Sequence, residues 1–452
     1  MIDIKGKNFL VVGLGETGYD AALTLSQSGA NVRVTEIKDT PSIKEKKEKL
    51  FSKGIIVETG KHSIDFVKWA DVVMPSPGVA LDAQPILWAK EKNIKILSEI
   101  EIAYQMSPSK KIIAITGTNG KTTTVSFTDF VFTKAKIPHI TCGNIGNSFI
   151  GELDKIQQDT WIILEVSSFQ LEYIEEFCPF IGAILNIADD HLDYYSNFSQ
   201  YVEAKKKIFN NSQPEHWAIL NYENVWCRKI GESIRCKKMF FSSKRKIDGI
   251  YVANGFVSFK GNKIFSIDEF EKSHLKGSHN LENVMVVVGI SQILGISGTF
   301  ISQALSEFTP APHRLEKVAE INGITFIDDS KATNVDAVCR ALESFQMKNN
   351  IILILGGKDK GIPFTPVKNF LPGRVKKILV IGEAASRIEN ELKDVSISME
   401  RIKNFEDAVR ISLSTGKPGD IVLLSPGCSS FDMFTNYAER GDVFKSAVKN
   451  LL

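Results

Sequence analysis

The sequence predicts an α/β protein of three domains, each built on a mostly parallel sheet. Short apolar runs such as "FLVV" (9–12), "IIAI" (112–115) and "IILIL" (351–355) alternate with segments of helical period, the pattern of strand–helix–strand units. At 452 residues the chain is too long for one core, since single hydrophobic cores rarely grow past roughly 250 to 300 residues. Two of the strands run into glycine-rich loops, "GLGETG" (13–18) and "GTNGKT" (117–122), each followed by a helical pattern.

The first block, 1–105, opens with the strand "NFLVVGLG", a helix pattern from Thr17 to Ser28, the strand "NVRVTE" and the segment "ADVVMPSPG", a Rossmann-like succession. The polar stretch "YQMSPSK" (104–110) marks its end. The second block, 106–310, continues with the strands "KIIAIT", "WIILEV" and "IGAILNI" and a charged helix near 199–210. Next comes the turn-rich region "GIYVANGFVSFKGNKIFSI", which reads as antiparallel hairpins, and a last helix from about Leu281 to Leu294. The prolines of "FTPAPHR" (308–314) open the third block, 311–452, where "ITFIDD", "NIILILGG", "KKILVIGEA" and "DIVLLSPG" give four strands separated by helical patterns.

Lys and Arg number 55 against 53 Asp and Glu, so charge gives no reason to expect nucleic acid or an acidic membrane surface as partner. Six cysteines without a C-x-x-C pair argue against a zinc site or a disulfide framework and fit a reducing cytoplasm. The run "FLVVGLG" stops at Glu16, and nowhere do about 18 uncharged apolar residues follow one another. Neither an export signal nor membrane insertion is expected.

The loop after "KIIAIT" is one residue shorter than the common P-loop, with Ile115 in the place of its first glycine. Gly117 and Gly120 let backbone N–H groups turn towards an anion, Lys121 supplies a cation to the outer phosphates, and Thr122 offers a hydroxyl to Mg²⁺. The bland alternative is a Gly-Asn turn that carries a lysine; the buried strand before it and the Gly-Lys-Thr triplet favour nucleotide phosphate. "GLGETG" with Glu36 at the next strand end matches a dinucleotide fingerprint, yet the same geometry serves any diphosphate-bearing ligand or a purely structural turn. A nicotinamide-dependent oxidoreductase stays open as an alternative, although such an enzyme needs no second phosphate loop.

Two acids follow the P-loop at strand ends. Glu165 comes directly after four apolar residues, where a buried lone carboxylate is costly unless it binds a cation. Asp190 and His191 in "ADDHLD" hold the corresponding place on the next strand, and the pair of strand ends favours Mg²⁺ over simple caps. In "FSQYVEAKKKIF" helical spacing puts Lys205 on the stripe of Phe198, Tyr201, Val202, Ile208 and Phe209. Either its alkyl stem snorkels, or desolvation leaves a neutral, reactive amine.

These segments together resemble the Mur ligases, amide-forming enzymes of peptidoglycan synthesis, over nearly the whole chain. "TGTNGKTT", "CGNIG" (142–146), "EVSSFQLE", "DDHLD", Tyr201-x-x-Ala-Lys205, His279-Asn-x-x-Asn283 and "APHR" (311–314) stand in family order. Within the family, "GLGETG", "FIDDSKATN" (326–334), "GGKDKG" (356–361) and "SPGCSSFDMFTNYAERG" (425–441) are similar to the members that add D-glutamate. The alternative inside this class is a ligase for another amino acid or for folate glutamates; folate ligases typically show Gly-Lys-Gly-Ser in the loop, and diamino-acid ligases lack the "DDSKATN" form.

The resemblance implies a cytoplasmic, monomeric enzyme that uses ATP and two Mg²⁺ ions to join UDP-N-acetylmuramoyl-L-alanine to D-glutamate through an acyl phosphate. It implies that Gly117, Thr118, Asn119, Gly120, Lys121, Thr122 and Thr123 hold the ATP phosphates, with Asn283, Arg314 and Asp329 completing the nucleotide site. Thr122 and Glu165 are expected on one Mg²⁺, His191 and a carbamylated Lys205 on the other, with Asn144 and Ser167 near the reacting carboxylate. Gly15, Thr17, Glu36 and Gly78 are the expected UDP contacts, and Lys331, Thr333, Lys360, Ser430 and Tyr437 the expected D-glutamate contacts. Tyr437 stands where the family often has Phe, and Ile37 and Lys38 where it often has Thr and Arg.

Overall fold

The structure is a computed structural model that describes residues 3–451, apart from 145, 191–193 and 196. Three sheets organise it. The first holds β1 (Asn8–Val12), β2 (Asn31–Glu36), β3 (Ile56–Thr59), β4 (Val72–Pro75) and β5 (Lys95–Ile96), all parallel, in the order β3-β2-β1-β4-β5. Order reverses beside β1, so the loops after β1 and β4 open at one crevice, the usual ligand position of such sheets.

The second sheet holds β6 (Ile112–Thr116), β7 (His139–Gly143), β8 (Trp161–Glu165), β9 (Ile181–Ile184), β10 (Trp217–Asn221), β11 (Lys237–Ser242), β12 (Gly249–Ala253), β13 (Phe256–Phe259) and β14 (Asn262–Ser266). Its order is β14-β13-β12-β11-β10-β9-β6-β8-β7. The strands from β6 to β12 run parallel, and β13 returns antiparallel to β12 as a hairpin. Every side chain of β6 is buried, as expected for a strand with both faces covered.

The third sheet holds β15 (Glu316–Ile321), β16 (Ile324–Asp328), β17 (Ile351–Gly356), β18 (Val375–Ile381), β19 (Ser398–Arg401) and β20 (Ile421–Leu424), in the order β15-β16-β20-β17-β18-β19. Alternation sorts its core onto two faces: Leu353, Leu355, Ile378, Val380 and Leu423 pack with Val338 and Leu342, whereas Ile352, Ile354, Leu379, Val422 and Leu424 pack with Phe405 and Phe444.

Among the strands missing from the sequence reading, β15 and β19 explain themselves. Both are edge strands with half-exposed, charged faces ("EKVAEI", "SMER"), so they lack a continuous apolar run. β15 is also antiparallel to β16. The helix expected from Leu281 begins at Ser278, and the charged helix near 199–210 runs Phe198–Lys206 with a 3₁₀ turn at Lys207–Phe209.

By contacts the chain forms two compact units. One comprises Met1–Ile187, Asn197–Ile264 and Val284–Ala304; the other comprises Ala188–Ser196, Phe265–Asn283 and Leu305–Leu452. Within the first unit the helix Glu16–Gln27 crosses close over β1 because position 18 is glycine: a Cβ there would lie 2.1 Å from the carbonyl oxygen of Gly13. Gly18→Ala should cost about 1–3 kcal/mol through this overlap and lower the urea midpoint; an unchanged midpoint would show that the helix can simply shift.

Candidate active site

β6 delivers the chain into the loop 117–120 and then the helix Lys121–Lys134. Gly120 caps that helix at φ +87°, a conformation that costs other residues energy, and a Cβ on Gly117 would press on Leu185 at 3.0 Å. Asn186, just past β9, fixes the loop from outside. Its Oδ1 accepts from the Asn119 N–H (2.9 Å), its Nδ2 donates to the Asn119 carbonyl (3.1 Å), and its own carbonyl accepts from the Thr118 N–H (3.0 Å). The first-turn N–H groups that carry Thr122 and Thr123 have no acceptor within the helix, so the loop is an anion cradle.

Two lysines meet at this loop. Lys121 Nζ donates to the carbonyls of Gly117 (2.8 Å) and Thr118 (2.9 Å). Lys205, only 1% exposed, donates from Nζ to the same Gly117 carbonyl at 3.0 Å and lies 4.6 Å from the centre of the Tyr201 ring. The Tyr201 hydroxyl is itself 3.1 Å from Thr118 Oγ1.

Glu165 ends β8 beside the loop, paired in register with Ile115 and 2% exposed. Asn144 donates from Nδ2 to Glu165 Oε1 at 3.0 Å and from its backbone N–H to the Glu165 carbonyl at 2.9 Å. Glu165 Oε2 is buried with no hydrogen-bond partner. An orphaned carboxylate oxygen next to an anion cradle fits a divalent cation, with Thr122 supplying the hydroxyl. Ser167 follows at once, donating from N and Oγ to Gln170 Oε1 (both 2.9 Å) in a capping box. His191 lies outside the described residues.

In the first sheet the crevice residues are held by backbone. Gly15 caps the helix Glu16–Gln27 with no side-chain hydrogen bond to its first turn, Thr17 is half-buried there, and Gly78 adopts φ +90°. Glu36, the residue expected to meet a ribose, is buried and accepts from the Leu14 N–H (2.7 Å) and the Lys38 N–H (2.8 Å). Its carboxylate therefore shapes the glycine loop directly.

The second unit gathers the loops that follow β16, β17 and β20. Arg440, 2% exposed, donates to Ser330 Oγ (2.9 Å), the Ser330 carbonyl (2.7 Å) and the carbonyls of Cys428 (3.0 Å) and Ser429 (3.3 Å). Burial with no directly bonded carboxylate pulls its guanidinium down to about 10. Around this anchor Lys331 Nζ lies 3.7 Å from the centre of the Tyr437 ring, Ser430 is buried, and Thr333 is half-buried. Asp190 accepts from Asn334 Nδ2 at 2.9 Å, and Lys360 Nζ is 3.8 Å from its other oxygen.

Asp329 is buried and accepts from Ser425 Oγ (2.8 Å) and the Leu315 N–H (3.3 Å); burial pushes its carboxyl up to about 7 against the pull of Ser425, Leu315 and Arg314. Asn283 donates to Asn280 Oδ1 (3.1 Å). Burial, then Arg340 and Arg314, pulls His279 down to about 4, so at neutral pH it is an uncharged imidazole. His313, Glu316 and Asp328 bring ligand atoms within metal reach of one another, but Lys445 Nζ already pairs with Glu316 (2.7 Å) and sits 3.8 Å from Asp328, which makes this an ion-pair network.

Sequence alone gives no role to Asn186, Tyr201 or Arg440. Asn186 had a visible signal, a polar side chain immediately after an apolar strand. For Arg440 only the helical position in "YAERGDVF" was available, and nothing in it shows five donors facing inwards.

A short phosphate loop on an interior strand of a mostly parallel sheet, with a buried acid at the neighbouring strand end, defines a nucleotide-using α/β enzyme. Three family models match the chain: the Mur ligase MurD-like N-terminal domain over residues 7–98, the Mur ligase middle domain over 115–291, and the Mur ligase glutamate ligase domain over 313–428. The chain belongs to the Mur ligase family. It is 40% identical to proteins named UDP-N-acetylmuramoylalanine–D-glutamate ligase from Koribacter versatilis and from Caldicellulosiruptor bescii, in each case over 100% of this chain and 99% of the relative. Its fold is similar to that of the UDP-N-acetylmuramate–alanine ligase of Thermotoga maritima (TM-score 0.63, 19% identity, 99% of this chain and 100% of that one). A MurF ligase from Thermotoga maritima, solved in complex with ADP, also shares it (TM-score 0.59, 15% identity, 100% of both chains).

Removing transition-state charge stabilisation should be visible here. Lys121→Ala and Glu165→Ala are each expected to lower kcat at least about a hundredfold with little loss of folding, and Glu165→Ala to shift the Mg²⁺ requirement. Steady-state kinetics across a Mg²⁺ series checks this; unchanged Mg²⁺ dependence would show that Glu165 holds no metal.

Proposed function

We propose that the protein is the ATP-dependent ligase that adds D-glutamate to UDP-N-acetylmuramoyl-L-alanine, acting as a cytoplasmic monomer in peptidoglycan precursor synthesis. The observation that carries the reading is full-length identity of 40% to relatives named for that reaction. The site supports it. A carboxylate oxygen of the UDP-substrate attacks the γ-phosphorus of ATP and ADP leaves; the amine of D-glutamate then attacks the acyl carbon, loses a proton, and phosphate departs as the amide forms.

Each residue has a task in this scheme. Lys121 and the first-turn N–H groups of Thr122 and Thr123 bind the β- and γ-phosphates, while Gly117, Thr118, Asn119 and Gly120 shape the loop around them. Thr122 and Glu165 would hold one Mg²⁺, and His191 with carbamylated Lys205 a second; bound there, the ions would supply positive charge against the phosphoryl oxygens. Asn144 and Ser167 orient the reacting carboxylate, while Gly15, Thr17, Glu36 and Gly78 form the UDP end, Glu36 through the loop backbone it holds. Asn283, Arg314 and Asp329 serve ATP. The two carboxylates of D-glutamate call for cations and hydroxyls, which Lys331, Thr333, Lys360, Ser430 and the Tyr437 turn supply.

Carbamylation of Lys205 follows from what an ammonium cannot do. It has three donors and no acceptor, so it cannot ligate Mg²⁺. Lys205 and Lys121 also share the Gly117 carbonyl, and two ammonium groups on one acceptor repel. Reaction of the neutral amine with CO₂, with loss of a proton, relieves both problems and yields a carbamate, a hard oxygen ligand.

Phosphate release with ATP, Mg²⁺ and the UDP-substrate, measured across a panel of amino acids, tests the function. D-Glutamate should turn over, and L-glutamate and diamino acids should not; equal rates with the L enantiomer would sink the assignment. For Lys205→Ala most activity should vanish and partly return with short carboxylic acids, which restore an anion. Rescue by alkylamines alone, or a fully active variant, would overturn the carbamate.

A further inference from the structure

Glu99 is the one acid in this chain buried at a helix start with an oxygen to spare among the described residues. It opens the helix Glu99–Met106 and is 1% exposed. Its Oε1 accepts from the Ile150 N–H at 2.6 Å, and its Oε2 is buried with no hydrogen-bond partner. Such a group is expensive to keep unless it fixes something. Ile150 begins a 3₁₀ helix, Ile150–Lys155, directly after the stretch that carries Asn144. Three ties hold that end: Glu99 to the Ile150 N–H, Thr24 Oγ1 to the Ile150 carbonyl (3.3 Å), and Ser148 Oγ to Asp20 (2.7 Å). At the other end Asn144 grips Glu165 by side chain and backbone, and the Gly143 N–H donates to the Asn147 carbonyl (2.9 Å).

Burial pushes the Glu99 carboxyl up to about 7 against the pull of the Ile150 N–H and of the facing Gln170 amide, and Gln170 Oε1 accepts from both donors of Ser167. The groups around Glu99 are Asp20 from the helix Glu16–Gln27, Cys142 from β7 and uncharged Gln170. We propose that Glu99 is a positioning residue: it fixes the segment that presents Asn144 to the Glu165 carboxylate and, through Gln170, the turn that presents Ser167. Glu99 touches neither nucleotide nor amino acid in this scheme, and the role rests on the function proposed above. It predicts a specific division of labour, because the residues proposed for D-glutamate lie on other loops, those after β16, β17 and β20.

Glu99→Ala should raise the KM for the UDP-substrate and lower kcat, together by about tenfold or more, as loss of an outer positioning partner does, with the KM for D-glutamate unchanged. Glu99→Gln keeps a carbonyl oxygen for the Ile150 N–H and should recover most of the loss. Hydrogen exchange needs no turnover: peptides covering 146–156 and 166–171 should exchange faster in Glu99→Ala, and peptides covering 328–334 should not. If Glu99→Ala folds poorly, Ser148→Ala cuts a neighbouring tie and should give the same split. An Ala variant with wild-type KM for the UDP-substrate and wild-type exchange overturns the proposal, as does a uniform rise in every KM with a matching loss of folded protein. A wild-type enzyme inactive with D-glutamate, yet showing the exchange pattern in Glu99→Ala, would overturn the function and leave the positioning role standing.

Discussion

A carboxylate buried at a strand end has to be compensated, and Glu165 is the point at which this molecule meets that requirement. Half of the compensation is built in, through Asn144 on Oε1. The other half is left open, because Oε2 is buried with no hydrogen-bond partner, and it is the place where the proposed Mg²⁺ would compensate the charge. Neighbouring choices follow from this. Asn144 can reach Glu165 only if the chain turns tightly after β7, and Gly143 permits the turn at φ +109°, where a Cβ would lie 2.4 Å from the Glu165 carbonyl oxygen. The register of β6 with β8 sets Glu165 opposite Ile115, two residues before the phosphate loop, so that acid and anion cradle lie side by side.

Much of this was legible in the sequence because it depends on local chemistry. A glycine needed at a positive φ, a lysine after Gly120, an acid closing an apolar strand and a lysine at a stripe position each leave a mark at one place in the chain. The central strands were legible for the same reason, since burial on both faces demands an unbroken apolar run. What escaped depends on partners far away in sequence. Asn186 acts on a loop 67 residues earlier, and Arg440 on Ser330, 110 residues earlier. Glu36 was legible as an acid in the right place, but its use by the backbone of Leu14 needed coordinates.

Arg440 shows how the second unit solves a different problem. Loops after three strands have to converge without a shared hydrogen-bond ladder. A guanidinium has five donors in a fixed plane and no acceptor, so it can satisfy several carbonyls at once and hold their spacing. Here it spends them on Ser330, Cys428 and Ser429, and a Cβ on Gly357 would lie 3.1 Å from its Nη1. The cost is a desolvated charge, visible in the downward pull on Arg440, and lysine could not replace it because one ammonium cannot span the same carbonyls.

The two lysines at Gly117 complete the logic of the first unit. Their Nζ atoms lie 2.8 and 3.0 Å from one carbonyl oxygen, which brings the two nitrogens into each other's Coulomb range in a place that excludes much of the water. Such crowding is hard to hold for two permanent cations. It is natural where an anion belongs between them, or where one amine gives up its charge. The surroundings separate the two roles: Lys121 opens a helix among half-buried residues at the mouth of the cradle, whereas Lys205 is 1% exposed and lies over the Tyr201 ring. Desolvation weighs more heavily on the deeper group, which is why the proposed phosphate contact falls to Lys121 and the proposed carbamate to Lys205.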